Sequence, residues 1–244
     1  ESLPVRYGLP RKILFCRCCI ISNQRPNSAA EFQHTTDSQK ETIHLDDNGI
    51  CDACRVAERK NSAIDWSNRE AQLSELCDRH RSRDGSYDCI VPGSGGKDSV
   101  FAAHVLKTKY RMNPLTVTWA PHLYTDWGWK NFQAWLHSGF DNELHTPKGR
   151  VHRLLTRLAV ENLFHPFQPF ILGQKSIAAK LAVRHRIPLV FYGENEAEYG
   201  NPKQNADRTE RDWNIFATGD LAKVHLSSVS LADLQDHFGV KKPD

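Results

Sequence analysis

The apolar positions of this chain fall into short blocks, and the spacing within each block predicts an element. Residues 55–83 are rich in charge, with Ile64, Trp66, Leu73 and Leu76 at near-helical intervals and Asp65 or Ser67 placed to cap, which predicts a connector helix. Tyr87-Asp-Cys-Ile-Val91 reads as a short buried strand, and it runs straight into Pro92-Gly-Ser-Gly-Gly-Lys-Asp-Ser99 and a helical stretch at 100–110. A second strand at 115–119 is delimited by Pro114 and Pro121. Residues 127–138 predict a helix, 143–145 a short strand, 151–163 and 170–185 two helices, and 187–192 a last strand ending in Gly193-Glu-Asn-Glu196.

Strands separated by helical segments describe repeated βα units, which favour a parallel sheet with helices on both faces. The expected fold is therefore an α/β doubly wound domain over residues 85–244, preceded by a cysteine-rich module at 1–60 and the connector helix at 61–84. Ligands of such sheets bind outside the carboxyl ends of the strands. The glycine turn after Val91, the segment after Trp119 and the acidic segment after Tyr192 all fall at that edge.

Composition narrows the class. The 244 residues are 39% hydrophobic and 25% charged, enough for a packed core and unlike a disordered tail. The net charge of +3 is mild for a nucleic-acid binder, so nucleic acid is not an expected partner. No apolar run approaches the roughly 18 residues that cross a bilayer, and the first residues lack the apolar segment of a secretory signal. A cytoplasmic protein without a membrane partner is the expectation.

The seven cysteines are unevenly placed, with none beyond Cys89. Cys16-Arg-Cys-Cys19 and Cys51-Asp-Ala-Cys54 are C-x2-C pairs, the spacing at which two thiolates from one tight turn reach a single tetrahedral ion. Cys16, Cys19, Cys51 and Cys54 thus form a candidate structural zinc site, closed to water and substrate, with Cys18 and Cys19 competing for one position. The 31 residues between the pairs exceed the usual span of about 15–20, and the excess falls in a polar stretch at 23–48. The competing reading is a set of reduced thiols or a redox pair.

In Ser94-Gly-Gly-Lys-Asp-Ser99 the glycines clear side chains from the path of an anion, and the following helix start offers N–H groups and a positive dipole end. The order of residues excludes two common phosphate loops. Val91 stands where the first glycine of G-x4-G-K-[ST] belongs, and Ser99 where G-x-G-x-x-G needs its last. The bland alternative is a surface loop before a helix, with Asp98 only a cap.

The segment resembles the S-G-G-x-D-S signature of the PP-loop ATP pyrophosphatases, which cleave ATP between the α and β phosphates and adenylate a substrate oxygen. The resemblance implies that Ser94, Gly95, Gly96 and Ser99 cradle pyrophosphate, that Lys97 adds positive charge, and that Asp98 positions the turn or a Mg²⁺. It also implies Thr118, Gly193 and Glu194 beside the nucleotide, with Lys97 and Asp98 as the catalytic pair. Enzymes of this type deliver either ammonia or sulfur. Sulfur delivery generally needs a cysteine near ATP; Cys89 lies within a predicted strand, and Gly173-Gln-Lys-Ser176 has none.

Taken with Arg25-Pro26, Asp47-Asn-Gly-Ile-Cys-Asp-Ala-Cys54 and Gly193-Glu-Asn-Glu196, the chain resembles the N-acetyl sugar amidotransferases of lipopolysaccharide O-antigen and flagellin-glycan synthesis. The resemblance spans nearly the whole chain and implies conversion of an acetamido group to an acetamidino group with release of AMP and PPi. ATP, Mg²⁺ and structural Zn²⁺ are the implied cofactors, and an acetamido sugar or nucleotide sugar the implied substrate. Ammonia is expected from a separate glutaminase subunit, because the chain shows no glutaminase nucleophile. Such proteins continue further, so a longer chain is expected, and the loop at 24–48 exceeds that of compact members. The rival readings are a tRNA thiolase and a non-catalytic zinc-ribbon and nucleotide-binding module.

Other residues carry two readings each. Glu194, Asn195 and Glu196 either hold Mg²⁺ or sugar hydroxyls or form a solvated acidic loop. Trp119, Trp127 and Trp129 either stack on a ligand or belong to the core. Lys175 either reaches pyrophosphate or lies exposed on its helix. His122, His145 and His165 sit near element ends without metal-ligand spacing and receive no chemistry.

Overall fold

The computed structural model describes residues 9–27, 30–39, 41–194, 214 and 218–241. They divide into two compact units, one from the described residues of Glu1–Asp65 and Asn195–Leu231, the other from Trp66–Glu194 and the described residues of Ala232–Asp244.

The second unit is built on four parallel strands: β1 (Cys89–Pro92), β2 (Pro114–Trp119), β3 (Asn142–His145) and β4 (Leu189–Val190), in the order β3-β2-β1-β4. Alternation along the strands sends side chains to two cores. Cys89 and Val91 of β1 face a cluster with Cys77, Ala103, Leu106, Phe132 and Trp135, whereas Ile90 joins Leu115, Val117, Ile177, Ala178 and Leu181. The first core is thus closed by α2 (Trp66–His80), α3 (Lys97–Thr108) and α4 (Asp126–Leu136), and the second by α6 (Gln168–His185), which follows α5 (Gly149–Leu163). An α/β architecture with a parallel sheet covered on both faces, consistent with a Rossmann-like fold, is what the βα pattern predicts.

Three element boundaries depart from the sequence expectation for identifiable reasons. The single helix expected over 55–83 is two, α1 (Asp52–Ser62) and α2; the N–H of Ala63 closes α1 on the Arg59 carbonyl, and Asn61 and Ser62 are weak helix formers. Helix α3 starts at Lys97 rather than at residue 100, because Gly96 in extended conformation acts as its N-cap. The last strand shrinks to Leu189–Val190, since Pro188 has no N–H for the ladder; Phe191 adds one bond to the Ile90 carbonyl.

In the first unit, Cys16, Ile43 and Cys51 are buried with Ile21, Leu45, Ala53 and Cys54 around them. A short hairpin pairs β5 (His225–Leu226) with β6 (Val229–Ser230), and Ser227 and Ser228 form its turn at positive φ. Ser228 Oγ accepts from the Thr36 N–H at 2.9 Å. Among the described residues no helix is long and apolar enough to cross a membrane.

Candidate functional site

Two backbone loops build the cysteine site. The Phe15↔Ser22 bridge, with the Cys16 N–H on the Ile21 carbonyl, folds Cys16 and Cys19 into one knuckle. The Leu45↔Cys51 bridge makes the other, where Asp46 Oδ1 accepts the N–H groups of Asn48 and Ile50 around Gly49 at φ +74°. Arg55 clamps this loop: it donates to the Ile50 carbonyl at 2.6 Å and pairs with Asp46 at 3.1 Å and with buried Asp52. Cys51 precedes α1 and Cys54 lies in its first turn, so the helix start fixes their spacing.

The four sulfurs lie within 4.8 Å of one another. Cys19 Sγ is 3.7 Å from Cys51 Sγ, and Cys16 Sγ is 4.0 Å from Cys54 Sγ. These separations are too long for disulfides, and an ideal tetrahedron with metal–sulfur bonds of about 2.3 Å has edges of about 3.8 Å. The donor set and its geometry therefore fit a metal such as zinc. Cys16 Sγ accepts the N–H groups of Cys18 and Cys51 at 3.3 Å each. Burial pushes its thiol up, but the backbone donors of Cys51, Cys18 and Cys19 outweigh it and bring it down to about 6. Burial raises Cys51 and Cys54, so an ion that holds all four as thiolates displaces protons from these two. Cys19, not Cys18, completes the set; Cys18 contributes only its N–H, to Cys16 Sγ.

The glycine turn follows β1 at the carboxyl edge of the sheet. Gly95 has φ +90°, and a Cβ there would lie 2.3 Å from the Asn131 carbonyl oxygen. At Gly93 a Cβ would meet Ser99 Oγ at 2.6 Å, and at Gly193 it would meet the Asp98 carbonyl carbon at 2.7 Å. Three glycines thus let β1, α4 and the end of β4 close on the start of α3. Gly96 differs, because nothing lies within 4 Å of its Cβ position. Ser99 Oγ donates to the Gly96 carbonyl at 3.0 Å, and Lys97 Nζ pairs with Asp98 at 2.7 Å on the exposed side. Ser94 is exposed as well.

Thr118 is fully buried, and its hydroxyl donates to the Gly93 carbonyl at 2.7 Å. Asn142 donates to Thr118 Oγ1 at 3.1 Å and to Thr116 Oγ1 at 3.0 Å, and the Gly93 N–H donates to the Val117 carbonyl at 2.9 Å. The turn is braced from below by a polar ladder running across β2 to β3. Glu194 is exposed beside Gly193, while Asn195 and Glu196 lie outside the described residues.

Beyond β2 and β3 the fold assembles a ring cluster that no local spacing announces. Trp119 stacks on His145 at 4.9 Å, His122 stacks on His152 at 4.4 Å, and Trp119 meets His152 edge-on at 6.3 Å. Phe170 and Phe167 approach His122 at 5.9 Å and 6.3 Å. Gly173 makes room for the indole: a Cβ there would lie 2.1 Å from Trp119 Cζ2. Trp119 Nε1 and His152 Nε2 are buried without a hydrogen-bond partner. The signal available in the sequence was that His122 and His145 lie near element ends; His152 sits in the first turn of α5, where nothing marked it. Trp127 and Trp129 are exposed, and Lys130 lies 4.7 Å over the Trp127 ring. Lys175 is half-buried on α6, and His165 lies between α5 and α6.

No family model matches the chain. An uncharacterized protein of Methanocaldococcus jannaschii is 33% identical over 82 residues, which are 34% of this chain and 29% of that protein. The chain therefore matches well under two thirds of that relative's length.

Proposed function

We propose that the chain is an ATP-dependent amidotransferase of the PP-loop type, which activates the acetamido oxygen of a sugar and replaces it with ammonia, and whose metal site is structural zinc. The observation that carries this reading is the turn at 93–99. It is crowded where Gly95 and Gly193 meet other backbone and where Gly93 meets the Ser99 side chain, yet open at Gly96, at the start of α3. That combination leaves backbone amides and the exposed Ser94 hydroxyl for an anion, with the Ser99 hydroxyl able to turn to it from the Gly96 carbonyl, and keeps a Cβ out of its path.

In this reading Ser94, Gly95, Gly96 and Ser99 hold the departing pyrophosphate, and Lys97 and Asp98, whose ion pair is exposed and easily opened, turn toward phosphate and Mg²⁺. Thr118 keeps the turn in shape from beneath, and Glu194 follows Gly193, which packs against Asp98. A resonance-stabilised amide is a poor electrophile, so adenylating its oxygen divides one difficult displacement into two. The amide oxygen attacks the α-phosphorus and PPi leaves; ammonia then attacks the carbon, and AMP leaves with the oxygen. Zinc cross-links the two knuckles and has no open position for chemistry. Ammonia is supplied by a separate glutaminase subunit.

Sulfur transfer is disfavoured by the two thiols of the sheet unit. Cys77 and Cys89 are buried, burial pushes both up, and Cys89 reaches about 12 at the start of β1, the edge opposite the glycine turn. The test is incubation with ATP, Mg²⁺, ammonium chloride and a panel of N-acetylglucosamine, UDP-N-acetylglucosamine and a 2,3-diacetamido sugar, following AMP and PPi. Sugar-dependent formation of both is expected, and Asp98→Ala should lower it by about 10²-fold or more. Turnover that requires tRNA instead of sugar, or ATP binding without cleavage, would sink the proposal.

A further inference from the structure

The ring cluster outside β2 and β3 belongs to the same ligand edge as the glycine turn. Gly93 is bonded to Val117 and Thr118, and Trp119 pairs in register with His145. With neighbouring strands about 4.8 Å apart, the cluster begins about 10 Å or less from the turn. Its central feature is a pair of imidazoles stacked at 4.4 Å and 22°, one exposed and one half-buried. His152 leaves a buried nitrogen, Nε2, without a partner, which a native structure rarely tolerates unless the group has a task.

Resting on the amidotransferase reading, we propose that the His122–His152 pair is the proton acceptor for the amine nucleophile, which docks against the rings of Trp119, Phe167 and Phe170. The chemistry requires such a group. As the amine nitrogen bonds to the activated carbon it becomes cationic, and an N–H bond must break before the C–O pair can leave with AMP. The N–H electrons stay on nitrogen and the proton moves to an imidazole nitrogen of the pair. Exposed His122 then returns it to solvent. The aromatic faces offer an apolar dock for neutral ammonia, and an unprotonated imidazole takes the one proton that the cationic adduct must lose.

The surroundings keep His152 neutral. Burial, and then the neighbouring charge of His122, hold His152 below the ordinary histidine value. The rings packed on the pair come from β2 (Trp119) and α6 (Phe167 at its N-cap, Phe170), with His145 of β3 across Trp119; among the described residues no carboxylate contributes to the shift. Two imidazoles in face-to-face contact resist double protonation, so the pair accepts one proton.

The experiment compares wild type, His152→Asn and His122→Gln in the full chain with the probes named above. It reads sugar-dependent ATP–PPi exchange for activation and amidine formation for transfer. His152→Asn should lower transfer about 10²- to 10³-fold and leave exchange within about twofold, while His122→Gln lowers transfer about tenfold. An equal fall in both readouts would mark a structural role and overturn the inference, as would unchanged transfer in both variants. Imidazole NMR titration of the ligand-free chain decides the matter without turnover. His122→Gln should raise the His152 value, and a His152 titration at the ordinary value that His122→Gln leaves unmoved would overturn the inference. If wild type cleaves no ATP with any sugar, the underlying reading fails, and the titration alone judges the pair.

Discussion

Gly95 and Gly96 are neighbours with opposite tolerances. A methyl at Gly95 meets the Asn131 carbonyl and requires a positive φ, whereas Gly96 has open space and extended N-cap geometry. Gly95→Ala should cost about 1–3 kcal/mol in urea unfolding, and Gly96→Ser should stay within about 0.5 kcal/mol because serine is a favoured N-cap. If the turn binds pyrophosphate as proposed, Gly96→Ser should still weaken it, which separates binding from folding. His152 has a pH signature of its own. Its folded value lies below the ordinary 6.5, so the unfolded chain binds more protons between the two, and stability should fall as pH drops through that window. Urea midpoints of wild type and His152→Asn between pH 7 and 5 check this, with the variant losing less.

At the scale of elements, the sheet depends on a contact between β2 and α6. Gly173 lies under the Trp119 indole so closely that any side chain there displaces the ring from His145. Gly173→Ala should destabilise by about 1–3 kcal/mol and change tryptophan fluorescence, whereas a silent substitution would show the contact to be loose. Helix α4 is capped by Thr125, whose hydroxyl accepts the Gly128 N–H at 3.0 Å. Most helix and strand positions were legible because they rest on local period and proline. The break at 63–65 was not, since Ile64 and Trp66 continue a helical spacing across it while the chain passes from one compact unit to the other.

At the scale of the molecule, the two units rest on different terms. The sheet unit has two buried apolar cores, whereas among the described residues the first unit's cysteine cluster buries Cys16, Ile43 and Cys51. If the four cysteines hold zinc as proposed, the ion contributes on the order of 10 kcal/mol to this small cluster. Metal removal by a chelator should therefore abolish slow amide exchange around 15–54 and leave that of β1 and β2 intact. Cys51→Ser should do the same, and Cys18→Ser should not.

The sequence alone determined the βα order, the two C-x2-C pairs and the glycine turn, because each is written in residues a few positions apart and local sterics suffice to read it. Only the tertiary structure decided that Cys19 and not Cys18 faces the other knuckle, that Thr118 braces Gly93 from a buried position, and that Trp119, His122, His145 and His152 meet. These depend on strands laid side by side and helices folded back over them, which bring together residues that no local period connects.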